Sequence, residues 1–228
     1  MKGRKILFWI LMLAPMAVTL FALPFLPEQI PAHYGFGGQV DRWGSKYETL
    51  IFPAITIVFG LFMLALARYS AKQKNGGKQN EKVSLTTGLC CLALFNVMTG
   101  YFLYADFHKV ENLSEVDLHI YQIVCAVLGI GFIVMGKIMP KLSLNSVIGL
   151  RTVWSMKNET TWKKSQEFGG ITFILTGIFM IICSLTVPGS GCILWTLLLL
   201  AAMLLADVWY TYHAAKKYGK DGSTPSPR

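Results

Sequence analysis

The polar run Asn145-Ser-Val-Ile-Gly149-Leu-Arg151-Thr152-Val-Trp154-Ser-Met-Lys-Asn158-Glu-Thr-Thr-Trp162 gathers a guanidinium, several short hydrogen-bonding side chains and two indoles into one short stretch. A guanidinium carries five donors in a planar fork and has to find acceptors wherever water is scarce. Asn145, Thr152 and Asn158 provide short polar side chains within reach of such a group or of nearby backbone. The expectation is therefore that Arg151 acts as a structural anchor tying Asn145, Thr152 and Asn158 together. Direct contact with a ligand is the alternative. Trp154 and Trp162 suit a water–lipid boundary better than a ligand platform.

A second set of residues has metal-type chemistry. His33, Asp41, His108 and His119 combine imidazole and carboxylate, which together suit zinc or a similar ion. No short i, i+4 ligand pair accompanies them, so a His33–Asp41 hydrogen bond within its own loop is preferred to a divalent metal, and no other cofactor is expected. Asp207 is an ionisable residue within an apolar block, at shallow depth, one to two turns from its inner end. Pairing with Arg68 or Arg151 is expected in preference to a proton relay. Asn96, Thr99 and Gln122 are expected to bond between helices. There is no H-E-x-x-H, no G-x-S-x-G and no phosphate loop, and Gly35-Phe-Gly-Gly lacks the strand–helix setting of a nucleotide site. The expectation is a protein without enzymatic activity. A metal-dependent membrane enzyme using the outer histidines and a small-solute or ion transporter are kept as alternatives.

These side chains need elements to position them, and the apolar composition supplies the elements. Hydrophobic residues make up 54% of the chain and charged residues 14%, and the apolar residues come in blocks. A hydrocarbon core of ~30 Å takes roughly 17–25 mostly apolar residues per helix. The blocks Ile6–Phe25, Leu50–Ala67, Ser84–Ala105, Ile120–Gly136, Ile171–Val187 and Cys192–Tyr212 meet that requirement. The first is too long for a signal-peptide core and is read as a retained helix. The fold expected is all-α: a polytopic membrane protein with six transmembrane helices.

The basic residues orient it. Of 21 Lys and Arg, only Arg42, Lys46 and Lys109 follow the odd-numbered blocks, and the other 18 lie at the N-terminus, in the even loops and in the tail. That bias places both termini inside. The net charge of +9 is accordingly the inner face of a membrane protein, and direct nucleic-acid binding is not expected. Cys90, Cys91, Cys125 and Cys183 read as small packing residues; a bridge between Cys183 and Cys192 is disfavoured by their difference in depth.

The chain divides into residues 1–67, the first two spans with a Pro/Gly-rich outer loop; 68–83, a flexible basic inner loop; 84–136, spans three and four; 137–215, the polar run with spans five and six; and 216–228, a basic tail. In the outer loop, Pro27 and Pro31 favour extended backbone while Gly35, Gly37, Gly38 and Gly44 permit turns. The segment Asp106–His119 is acidic. Asn158 or Thr160 is expected to cap a short surface helix through Trp162 to Phe168, with Gly169-Gly170 separating it from span five.

The polar run resembles the signature of the SdpI family of bacterial immunity proteins, roughly N-x-x-x-G-[IL]-R-T-x-W-[ST]-x-x-N-x-x-x-W, and meets every fixed position. It departs from the commonest form at Val153, often Pro, and at Lys164-Ser-Gln166, where Asn or His is frequent. The outer loop, Leu26-Pro27 through Pro31, His33, Gly38, Asp41, Gly44, Ser45 and Lys46, is similar to that family's N-terminal companion domain of unknown function. The resemblance implies a multi-pass protein of the bacterial plasma membrane. It implies immunity to a secreted peptide toxin, and in addition signalling by capture of a cytosolic autorepressor, a small winged-helix protein.

Overall fold

The computed structural model describes residues 2–35, 37–72, 77–113, 116 and 119–219. The centre of the first basic loop with Asn75, the acidic residues Glu115 and Asp117, and the tail from residue 220 lie outside the described residues. Six helices follow in order: α1 (Lys2–Ala22), α2 (Ile51–Lys72), α3 (Gly77–His108), α4 (Ile120–Ile138), α5 (Glu159–Thr186) and α6 (Gly191–Tyr218). Each is long and apolar enough to cross a membrane. Between α1 and α2 lies a hairpin, β1 (Gln29–Tyr34) and β2 (Val40–Ser45).

Large apolar side chains are exposed along these helices, among them Phe21, Val58, Leu185 and Leu205. In water that much apolar surface would drive association; against lipid tails it is the surface a span needs. Where helices meet, side chains shrink. In α4 and α5, Gly129 faces Gly177 and Gly136 faces Gly170, so the two helices run antiparallel with paired glycines. A Cβ placed at Gly129 would lie 2.7 Å from the Gly177 carbonyl oxygen, and one at Gly136 would lie 2.5 Å from that of Gly170. Helix association in lipid depends on this kind of close approach, because tails and side chains are equally apolar.

Two expectations are corrected here. The loop 68–83 is mostly helix, since α2 runs to Lys72 and α3 starts at Gly77. At 1.5 Å per residue, the 32 residues of α3 extend ~48 Å, well beyond a ~30 Å core. Lys78, Gln79, Glu81 and Lys82 are good helix formers that continue the helix into water. The break at Gly169-Gly170 is also absent: α5 is continuous from Glu159 to Thr186. Those glycines serve close packing instead, Gly169 against Met139 and Gly170 against Gly136 and Pro140.

The expected polar contacts within the spans are partly as read. Pro15 interrupts α1 and has no N–H, which leaves the Leu11 carbonyl without its helical donor. Asn96 of α3 supplies one, its Nδ2 donating to Leu11 O and to its own Leu92 O, each at 2.7 Å. Asn96→Leu should therefore lower stability by about 1–2 kcal/mol, and Asn96→Leu with Pro15→Ala should recover most of it; thermal unfolding in detergent reads both. Gln122 Nε2 donates to Val187 O at 3.4 Å, linking α4 to the end of α5. Among the described residues, the Thr99 hydroxyl bonds only back to Phe95 O. The five cysteines are free thiols.

Candidate functional site: a clamped segment at the basic end

The helix ends at Lys72, Gly77, Ile138, Glu159 and Tyr218 share one end of the bundle, and residues 142–158 fold across it. Two carboxamides fix this segment to the helices. Asn80 of α3 receives Ser143 N on Oδ1 at 3.3 Å and donates from Nδ2 to Ser143 O at 3.4 Å. Gln166 of α5 does the same to Leu150, receiving its N–H at 3.0 Å and donating to its carbonyl at 3.0 Å. A side-chain amide has the donor–acceptor pair of a peptide unit, so each behaves like a one-residue strand partner. Both Asn80 and Gln166 are fully buried, where unpaired backbone would be costly.

Between the clamps the segment satisfies itself. Asn145 Oδ1 accepts from Val147 N and Ile148 N at 2.8 Å, while its Nδ2 donates to Ser143 O at 2.8 Å and Ile148 O at 3.1 Å. Gly149 follows at φ +112°, a left-handed conformation that disfavours any side chain. It is closed in by Gln166, Leu142 and Trp162, the last two atoms lying 3.1 Å from where a Cβ would sit. Thr152 and Ser155 bond reciprocally, N–H to hydroxyl, at 2.9 and 3.0 Å. The Ser155 hydroxyl also donates to Leu150 O at 2.9 Å.

Asn158 caps α5 as expected. Its Oδ1 accepts from Thr161 N at 2.8 Å, and the Thr161 hydroxyl accepts from Asn158 N at 3.1 Å, closing a capping box. Asn158 Nδ2 also donates to Tyr218 O at 2.9 Å, covering one of the free carbonyls at the end of α6. Trp162 is buried among Val83, Met139 and Leu142, and its indole N–H donates to Leu142 O at 2.8 Å. The expected interfacial anchor is thus a core residue. Trp154 packs edge-on against Tyr212 with ring centres 5.4 Å apart.

Arg151 does not tie the segment together. Its side chain is exposed, and among the described residues it donates no hydrogen bond and joins no ion pair. Asn145, Thr152 and Asn158 are held by backbone and by Ser155 and Thr161, whose hydroxyls reach where the longer guanidinium would have to bend back. Asp207 likewise meets neither Arg68 nor Arg151. It is buried, and Thr172 Oγ1 of α5 donates to it at 2.8 Å. α6 packs on α5 and α4, whereas Arg68 is on α2, which packs on α3 and α1.

The opposite end carries the hairpin. β1 and β2 pair antiparallel with bulges between Pro31 and Tyr34. The segment after α3 adds to the free side of β2: Val40 N donates to Glu111 O and Leu113 N to Gly38 O, both at 2.8 Å. Gly38 turns there at φ +78°. Tyr34 donates its hydroxyl to Val110 O at 2.9 Å, and burial followed by the Asp106 and Tyr101 neighbours pushes its phenol upward.

His33 Nδ1 and Asp41 Oδ1 lie 2.6 Å apart, within the hairpin. His108 bonds back to Tyr104 O, and His119 precedes α4 as its cap residue. Among the described residues no three His, Cys, Asp or Glu side chains converge as a metal set. Gly44 has no room for a Cβ between Glu48 and Ala32. Ser45 opens a capping box with Glu48, and Lys46 pairs with Glu28 at 2.8 Å.

Arg42 grips Glu48 at 2.9 Å, and that hydrogen bond first, with help from the Ser45 N–H, holds the Glu48 carboxyl below its ordinary value. A depressed carboxyl stabilises the fold above its unfolded pKa of about 4.3 and loses that contribution as pH falls through the folded value. Glu48→Gln should therefore melt lower than wild type at pH 7 and converge with it below about pH 4. The gap should narrow in salt, because the pair is exposed.

Exposed apolar spans closed by glycine pairs, with a polar segment clamped at one end and a hairpin at the other, define a multi-pass membrane protein. Comparison with known proteins agrees in both halves. Residues 141–212 match the SdpI/YfhL protein family and residues 10–57 match a domain of unknown function, DUF1648. The chain is 26% identical over 202 residues to the immunity protein SdpI of Bacillus subtilis (strain 168), covering 87% of this chain and 89% of that one. It is also 42% identical over 43 residues to an uncharacterized protein of Archaeoglobus fulgidus, covering 19% of this chain and 24% of the other. No solved structure matches.

Asn80, Ser155, Thr161 and Gln166 are the site residues that sequence reasoning missed. Gln166 had a signal: it lies one helical turn beyond Trp162, so both share a face. Asn80, inside a Lys/Gln/Asn-rich stretch, had none.

Proposed function

We propose that the chain is an integral membrane immunity protein that protects its cell against a secreted antimicrobial peptide, acting without catalysis. The observation that carries the reading is the likeness to the immunity protein SdpI along 87% of the chain. In this reading both termini and the clamped segment face the cytoplasm, supported by the 18 basic residues of the N-terminus, even-numbered loops and tail against three in the odd-numbered loops. The finer part of the proposal is that the cytoplasmic end also captures a small winged-helix repressor, which links the presence of the toxin to transcription. Peptide-sensitive cells expressing the chain should survive challenge with secreted antimicrobial peptides, including any encoded beside its gene. Unchanged killing, with the protein verified in the membrane, contradicts the reading.

Orientation has its own test. Glu111→Cys should react with a membrane-impermeant maleimide in intact cells, and Lys163→Cys only after permeabilisation. The reverse pattern overturns the assignment of inside and outside. Both side chains are exposed, so lack of access within the fold does not confuse the result.

A further inference from the structure

We propose that Arg151 and Val153 form a lipid-binding prong, in which the Arg151 guanidinium takes the phosphodiester of an anionic phospholipid while Val153 enters the acyl layer. The backbone on either side of the prong is fixed. Leu150 has its N–H and carbonyl bonded by Gln166, with Ser155 adding a second bond to the carbonyl. Thr152 is locked to Ser155 in both directions. The two side chains projecting from this rigid turn, Arg151 and Val153, are the ones that point outward. Val153 is 78% exposed, as exposed as Leu185 on α5.

Depth identifies the occupant. Trp154, next to Val153, packs edge-on against Tyr212 of α6. Tyr212 and Trp209 are themselves exposed near the end of α6, where amphipathic rings sit at headgroup level. The turn is thus at the height where phosphates meet acyl chains. An apolar side chain there faces the tails, and a guanidinium there meets phosphate oxygens. The planar fork fits two such oxygens at once, which a point-charge ammonium does not. Arg151 is available for that contact, because among the described residues it has no partner inside the protein. The inference depends on the turn lying at a membrane surface and is independent of which leaflet that is.

The test uses the full chain, purified in detergent and titrated with phosphatidylglycerol while native mass spectrometry counts retained lipid. Arg151→Gln should weaken retention about fivefold, the equivalent of ~1 kcal/mol for one basic residue at an anionic surface. Arg151→Lys should fall between the two. Lys216→Gln, which removes the same charge at the same end, should lose much less. Equal losses for Arg151→Gln and Lys216→Gln overturn the proposal. So does a protein dimer that disappears in Arg151→Gln while lipid retention stays at the wild-type level, since that places a second copy on the guanidinium. A separate arm needs no loss of charge: a fluorophore on Val153→Cys in phosphatidylglycerol liposomes should be quenched by lipid-borne nitroxide. Quenching by aqueous iodide instead would put the turn in water and also overturn the proposal.

Discussion

Gly170→Leu should abolish the folded, monodisperse protein, and Gly170→Ala should lower its stability by about 1–3 kcal/mol, the usual range for overpacking. A Cβ at Gly170 would sit 2.7 Å from the Gly136 carbonyl oxygen and 3.1 Å from the Pro140 ring. The nearest obstacle is backbone, which moves only if α4 and α5 move apart. Separation would also open the Gly129–Gly177 contact further along the same pair, because the helices are rigid rods. The strain therefore propagates along the interface. Gly100→Ala is the matched control, also within a helix but with nothing within 4 Å of its Cβ. It should be neutral or stabilising by up to about 1 kcal/mol, since glycine weakens helix interiors. Opposite signs for one substitution at two helical glycines, read by thermal unfolding in detergent, would establish the paired-glycine interface. Equal effects would refute it.

Trp162→Ala should cost about 3–5 kcal/mol, the range for emptying a buried aromatic site. Trp162 fills the space under the clamped segment, in contact range of Gly149 and bonded to Leu142 O. Its removal leaves a cavity and an unpaired carbonyl together. Trp162→Phe separates the two effects: it keeps most of the volume and loses the indole N–H, so about 1–3 kcal/mol should go with the carbonyl left unsatisfied. If Trp162 were only an anchor at the membrane surface, both variants would fall close to wild type. The comparison thus distinguishes a packed indole from an exposed one without any functional assay.

The sequence makes the six spans legible because a bilayer demands length and apolarity, both visible residue by residue. It makes the Asn158 cap legible because capping is local: donor and acceptor lie three residues apart. What it hides is anything decided by a partner distant along the chain. Gly169-Gly170 reads equally well as a flexible break or as a close-contact patch, and the choice rests with Gly136 on another helix. Arg151 reads as an organiser because five donors must go somewhere, yet Asn80 and Gln166 do the organising from helices whose approach cannot be seen in one dimension. The hairpin is half legible. Its prolines and glycines announce extended backbone and turns, while its added pairing to Glu111 and Leu113 comes from far downstream.

The proposed immunity role requires the clamped segment at the basic end to be intact. Gly149→Ala probes it most directly, since the left-handed backbone and the three enclosing side chains leave no room for a methyl group. The measurement is survival of peptide-challenged cells expressing wild type or Gly149→Ala at matched levels in the membrane. The wild-type chain should protect, and the variant should lose that protection. Protection that persists undiminished in Gly149→Ala, or wild-type cells dying as readily as cells without the protein, would contradict it.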